Sequence, residues 1–347
     1  AAAAFAAPAI ASKSRKLRMV TPWPENSPGL STSARRLAKM ITESSEGRIQ
    51  VEVFSAGELV EAFEIFEAVA EGVADMYHSP EYYWQEKASA FGFFASVPFG
   101  FTANELAAWI HYGGGQALWD ELSAQFNLKP LLTASTGVQM GGWYDREVSS
   151  VGSFEGLRVR IPGLGGEILK RLGSIVVSLP GGEIVPALKS GAIDASEWVC
   201  PWLDAHLGLD KAAKYYYYPG FQEPGPGIAL GMNRDLWNDL NTFEQQVFNT
   251  ATAAEFTLSL AEFNTNNAHA LRKMKEQGVQ FRRFSEPLLI ELQRVAEEVL
   301  LEISEADPLS RKIYDSFRDF RGTLAGWSNT ADLAFLRARE AVLSSAG

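Results

Sequence analysis

The sequence predicts an α/β protein built as two similar lobes, and three features carry that prediction. A strand–helix–strand–helix–strand order occurs twice along the chain, a long helical stretch spans about 241–277, and a separate amphipathic segment follows Pro308. Such alternation predicts largely parallel sheets backed by helices. The 347 residues suffice for about two domains, and 46% apolar residues can supply a core to each.

In the first unit Leu17–Val20 reads as a strand and Pro22–Gly29 as a rigid loop. Ala34, Leu37, Ala38 and Ile41 are spaced as on a helix, which predicts one from Leu30 to Ser45; Ile49–Phe54 alternates as a strand does. A second helix closes at Gly72, and Val73–Met76 is expected as the next strand. The second unit repeats this order: strand Leu157–Ile161, helix Gly166–Leu172, strand Ile175–Leu179, helix Glu183–Lys189, strand Ala192–Ala195. Ala68, Gly72 and Asp75 match Ala187, Gly191 and Asp194 in spacing, and Gly57-Glu-Leu-Val60 echoes Gly182-Glu-Ile-Val185. Gly72 and Gly191 suit the left-handed residue that stops a helix before a strand.

Asn241-Thr-Phe-Glu244 reads as a capping box opening the long helix. A helix of that length is expected to run along both lobes as a spine. In 308–347, Ile313, Phe317, Phe320, Leu324 and Trp327 form a short heptad seam, weakened as a helix by Gly322 and Gly326. The seam either packs on its own domain or meets a second subunit.

The formal net charge of −11 argues against nucleic acid or an anionic membrane surface as the main partner. Residues 1–12, ending Ala9-Ile10-Ala11-Ser12, fit the end of a secretory leader with an A-x-A cleavage site. One cysteine, Cys200, excludes an intrachain disulfide and is compatible with a bacterial periplasm.

Catalytic patterns are weak. His78, His111, His206 and His269 form no H-E-x-x-H and stand by no G-x-S-x-G. Pro162–Gly166 resembles a dinucleotide loop, but Ile168 replaces its last glycine and Ser178-Leu179-Pro180 replaces the ribose-binding acid. The densest aromatic runs, around Tyr82-Tyr83-Trp84 and Tyr215–Tyr218, are mostly core, with one or two rings left to face a ligand. Arg160 is the leading site residue. Pro162 ends its strand, which leaves Arg160 near the carboxyl end, where open α/β sheets bind ligands. Its guanidinium fork suits a carboxylate. Ala195-Ser196-Glu197-Trp198 then supplies a carboxylate and an indole.

Gly156–Pro162 followed by Ala187–Glu197 resembles the central motif of periplasmic solute-binding proteins of tripartite ATP-independent periplasmic (TRAP) transporters, and the likeness runs from about Leu17 to the C-terminus. It implies an α/β, two-lobe periplasmic binding protein fold with a hinge, a long spine helix and a C-terminal helical extension. The lobes would be 13–136 plus 226–265 and 137–225 plus 266–307, with 308–347 as a homodimerising extension. Thr21–Glu25, His111–Gly115, Gln139 and Glu197-Trp198 are similar to the branch that binds 2-oxo or 2-hydroxy monocarboxylates with a metal ion. The resemblance implies that Arg160 pairs with the carboxylate of a pyruvate-like acid. Gln139, Glu197, the Trp198 carbonyl and, less strongly, Glu223 would ligate Na⁺ or Ca²⁺, with Tyr82 and Tyr83 lining the pocket. A membrane permease would take delivery, and no bond would be made or broken. A lactate-like acid, a dicarboxylate and a metal-assisted enzyme of 2-oxo acids are the alternatives. Cys200 stands where a small residue is expected in this branch.

Overall fold

A computed structural model describes residues 14–345; the expected leader, 1–12, lies outside the described residues. Eleven strands form two sheets among these residues: β1 (Arg15–Val20), β2 (Ile49–Phe54), β3 (Met76–Ser79), β4 (Leu128–Ser135), β5 (Gly142–Tyr144), β6 (Arg158–Arg160), β7 (Ile175–Val177), β8 (Ala195–Ser196), β9 (Tyr215–Tyr218), β10 (Gly227–Asn233) and β11 (Gln280–Arg283). The first sheet has the order β2-β1-β3-β10-β4; the second, read from its far edge, is β7-β6-β8-β5-β9-β11. In each, the first three strands run parallel and the fourth is antiparallel to its neighbours. The chain crosses between the sheets three times: between β4 and β5, between β9 and β10, and, by way of a long helix, between β10 and β11.

The likeness of the two lobes extends to side chains. Gly72 and Gly191 both adopt positive φ, 79° and 71°, and each turns the chain out of a helix. Asp75 then accepts from the backbone and side chain of Arg18 on β1, and Asp194 accepts from the backbone and side chain of Arg158 on β6. The same ion pair therefore staples the same two strands in each sheet. These aspartates also correct two expected boundaries. Val73–Met76 and Ala192–Ala195 are mostly the turn after the glycine, and the strands proper begin at Met76 and Ala195. The expected helix at 166 starts earlier, at Gly163, directly after Pro162.

In the first lobe His78, on β3, is fully buried. Its Nδ1 accepts from Trp23 Nε1 at 3.0 Å, and its Nε2 faces Ser33 Oγ at 3.2 Å. The donor at Nδ1 leaves the ring proton on Nε2.

The spine is a 35-residue helix, Thr242–Glu276, opened by the Asn241–Glu244 capping box. Its first half packs Val247, Phe248 and Ala251 into the core under the first sheet, and Phe263 and Met274 enter the core of the second. Arg36 binds it through Glu255 and Glu262 at 2.6 to 2.7 Å.

The C-terminal seam divides. In the helix Pro308–Ser328, Ile313 and Phe317 are buried, and Phe317 packs against Phe93, Phe101 and Trp109 of the first lobe. Phe320 and Leu324 are half-buried, while Trp327 is 68% exposed. The seam thus begins as core and ends as surface.

Candidate functional site

Arg160 is the last residue of β6, and its backbone carbonyl accepts from Glu197 N–H at 2.9 Å. That bond places Glu197 and Trp198 immediately beyond the end of β8, beside the guanidinium. Arg160 Nη1 donates to the Glu197 carbonyl at 2.8 Å and, at a longer 3.3 Å, to Glu197 Oε2; Nε donates to the Leu179 carbonyl at 3.2 Å. The Trp198 ring lies 5.3 Å from the guanidinium carbon. Gly181 allows that ring to sit there, since a Cβ on it would come within 2.4 Å of the indole.

Gln139 and Glu223 come from the first two of the segments that cross between the sheets, β4 to β5 and β9 to β10. Gln139 N–H donates to the Glu223 carbonyl and Gly220 N–H to the Gln139 carbonyl, both at 3.0 Å. A Cβ on Gly220 would lie 2.3 Å from the Gln139 oxygen, so only glycine permits this pairing. The crossing segments therefore form a short two-stranded hinge with a site residue on each. Tyr82 and Tyr83 close the arrangement from the first lobe, just after β3. Gly163, at the start of the helix after β6, packs against the Tyr82 ring.

The site residues expected from the sequence converge here. Arg160, Gln139, Glu197, Trp198, Glu223 and Tyr82 are buried and Tyr83 is half-buried, so the lobes are closed over the site. Gln139 spends its amide N–H on Thr136 Oγ1 at 3.1 Å. Its Oε1, Glu197 Oε1 and both oxygens of Glu223 are buried with no hydrogen-bond partner among protein groups. These are four acceptors gathered around one guanidinium, and uncompensated burial of such groups is costly. Burial pushes the Glu223 carboxyl up to about 8, with Arg160 and Tyr82 pulling the other way. Burial and then repulsion from Glu223 push Glu197 well above the usual carboxylate range.

Buried oxygens without donors are the kind of group that a bound cation satisfies. Among the described residues no group of three or more His, Cys, Asp or Glu is arranged to hold a metal; the two glutamates reach a full set only with amide and main-chain oxygens. That all-oxygen character fits Na⁺ or Ca²⁺ and not zinc.

Two other segments singled out in the sequence, Thr21–Glu25 and His111–Gly115, make no recorded contact with these site residues. Trp23 serves the buried His78, Tyr112 is 92% exposed, and Gly113 packs under Phe320 of the C-terminal helix. Cys200 is packing, buried in the apolar cluster behind the Glu197 loop. Sequence reasoning missed Asp204, which is buried beneath that loop; its side-chain partners, Trp143 and Tyr216, come from other elements, and no local pattern marks it.

The model of the family described as bacterial extracellular solute-binding protein, family 7, matches residues 19–307. The chain belongs to this family. A Nostoc sp. (strain PCC 7120) member described as a monocarboxylate 2-oxoacid-binding periplasmic protein is 39% identical over 318 residues, 92% of this chain and 87% of that protein. The TRAP transporter solute-binding protein of Bordetella bronchiseptica RB50, a mixed-occupancy dimer with copurified calcium and picolinate, matches with a TM-score of 0.94 at 33% identity, covering 96% of this chain and 99% of that one. The Pseudoalteromonas atlantica T6c protein with bound sodium and pyruvate gives 0.90 at 34% identity, covering 94% and 99%. Like these family 7 members, the chain has the two-lobe fold, and none of its described helices is long and apolar enough to cross a membrane.

Proposed function

We propose that this protein is the periplasmic binding subunit of a TRAP transporter. It captures a pyruvate-like 2-oxo monocarboxylate together with Na⁺ or Ca²⁺ and hands the acid to a membrane permease. The observation that carries this reading is the set of buried, donor-less oxygens on Gln139, Glu197 and Glu223 around the single buried guanidinium of Arg160. Arg160 takes the carboxylate. The cation is held by Gln139 Oε1, Glu197, the Trp198 carbonyl and Glu223, and it draws in the 2-oxo oxygen. Picolinate and pyruvate, seen with cations in the two structural relatives, both place a second donor atom beside the carboxylate, as such a cation requires.

The charges support the same reading. Two buried carboxylates and an anionic ligand against one arginine leave a negative excess, which the cation offsets. Tyr82 and Tyr83 wall off the acyl end and exclude water as 13–136 plus 226–265 closes on 137–225 plus 266–307. On this reading the site binds and releases the acid without turning it over. The exposed Trp327, Phe335, Leu336 and Leu343 give the C-terminal end an apolar surface suited to a second copy of the chain; the dimeric Bordetella relative supports that assembly.

Calorimetric titration with pyruvate, before and after removal of cations by EDTA, tests the proposal. Tight binding that EDTA abolishes and calcium or sodium restores is the expected result. Pyruvate binding indifferent to EDTA, or conversion of pyruvate followed by NMR, would overturn it.

A further inference from the structure

Asp204 is completely enclosed, 1% exposed, on the helix Pro201–Leu207 directly behind the Glu197–Cys200 loop. Its carboxylate accepts four hydrogen bonds. Oδ2 takes Trp143 Nε1 at 2.8 Å and the Tyr216 hydroxyl at 2.6 Å, from two rings stacked 3.9 Å apart on β5 and β9. Oδ1 takes the backbone N–H groups of Val199 at 3.1 Å and Cys200 at 3.0 Å. Helix capping accounts for the Cys200 contact, because Cys200 is the residue before the first turn. It does not account for Val199.

The Val199 N–H belongs to the same planar peptide unit as the Trp198 carbonyl. In a trans peptide the N–H and C=O point in opposite directions. An N–H held down onto Asp204 therefore turns the Trp198 oxygen up, away from the helix and out of the loop. In the preceding unit the Glu197 carbonyl accepts from Arg160 Nη1, and one unit further back Glu197 N–H donates to the Arg160 carbonyl. Met140 N–H also donates to the Val199 carbonyl at 3.1 Å, which ties the loop to the hinge segment carrying Gln139. Within that frame Asp204 is the group that holds the Trp198–Val199 unit directly, through Val199 N–H.

We infer that Asp204 is a positioning residue that aims the Trp198 carbonyl at the cation. The inference rests on the cation-assisted reading proposed above. Asp204 touches neither ligand, and its effect is exerted through one peptide plane.

The test compares Asp204→Leu and Asp204→Asn with Tyr216→Phe. Asp204→Leu removes every acceptor, including the one on Val199 N–H, whereas in Asp204→Asn the amide oxygen can still take Val199 and Cys200 while its N–H₂ faces Trp143 and Tyr216. Tyr216→Phe removes one donor to Oδ2 and leaves the Oδ1 contacts in place. The readout is the calcium concentration that gives half-maximal pyruvate affinity in the full chain, with melting temperature measured alongside. Asp204→Leu is expected to raise that concentration at least about tenfold, the loss of roughly one charge-assisted hydrogen bond, with pyruvate affinity recovering at saturating calcium, and Asp204→Asn is expected to raise it less. Shifts in the two Asp204 variants are read relative to Tyr216→Phe. Tyr216→Phe is expected to lower the melting temperature and leave the calcium requirement within about threefold of wild type. A shift no larger in Asp204→Leu than in Tyr216→Phe, or none at all, would show that Asp204 only stabilises the fold. If Asp204→Leu does not fold, a crystal structure of the unaltered protein with calcium and pyruvate decides. The inference requires the Trp198 oxygen within the usual calcium–oxygen range, about 2.3–2.6 Å, and an oxygen turned away from the ion overturns it. A wild-type protein whose pyruvate binding ignores calcium overturns the cation reading and this inference together.

Discussion

Replacing Arg160 with methionine removes the guanidinium while nearly filling the space it occupies, so the effect isolates charge and hydrogen bonding from packing. Three recorded hydrogen bonds disappear: those to the Leu179 carbonyl, the Glu197 carbonyl and Glu197 Oε2. The ligand carboxylate then enters a buried site with two glutamates and no positive protein group. Breaking one side of a buried, hydrogen-bonded ion pair costs about 3–5 kcal/mol, which corresponds to roughly a hundredfold to several-thousandfold weaker binding. Calorimetric titration with pyruvate at saturating calcium measures this directly, and circular dichroism establishes that the fold survives. Calcium binding should respond in the opposite sense. Without the nearby cation, Glu197 and Glu223 attract calcium at least as strongly as in the wild type at pH 8. Pyruvate affinity within about threefold of wild type would refute the assignment of Arg160 to the carboxylate.

Gln139→Leu should weaken pyruvate binding about tenfold or more at limiting calcium, because it removes one of the donor-less oxygens; a calcium-dependent thermal shift equal to the wild-type shift would count against Gln139 as a ligand. His78 is held neutral, its pKa lowered to about 3 by burial and then by Arg36. The unfolded chain takes up this proton first, near pH 6.5, so stability is lost as pH falls from there toward 3, by about 2 kcal/mol between pH 7 and pH 5. Urea unfolding at the two pH values should show a smaller acid loss for His78→Gln, by about that amount. Truncation after Ser328 should convert a dimer to a monomer in light scattering and leave pyruvate binding intact, whereas truncation at Pro308 would also strip Ile313 and Phe317 from the first lobe's core.

The fold was legible where local chemistry decides it. The Asn241–Glu244 box, the helix-ending Gly72 and Gly191, and the alternation in 49–54 all specify their elements within a few residues. Val73–Met76 and Ala192–Ala195 were read as strands too early, because Asp75 and Asp194 fold back onto arginines more than 30 residues upstream before either strand starts. Heptad spacing revealed the C-terminal seam but not its partner. Period is a property of one helix; the partner depends on where Phe93, Phe101 and Trp109 arrive in space. The same division holds for the site. Arg160 and Glu197 were readable from strand ends and from resemblance, while Asp204 draws its meaning from Trp143, Tyr216 and Val199, which only the folded chain assembles.

The stapled strands of the two lobes set up a comparison within one molecule. Val20 pairs with Tyr77 in the first sheet as Arg160 pairs with Ser196 in the second, so His78 occupies in one lobe the place that Glu197 occupies in the other. Each half thus carries the same strand-end crevice. In the first lobe it is plugged from within: a neutral imidazole, held by Trp23 and facing Ser33, leaves no charge to answer. In the second lobe the equivalent place holds an arginine and a glutamate whose remaining oxygens look outward. One crevice became masonry and its twin a receptor. A lobe I opened at His78, with an arginine installed at position 20, is where a second binding site would have the least new architecture to build.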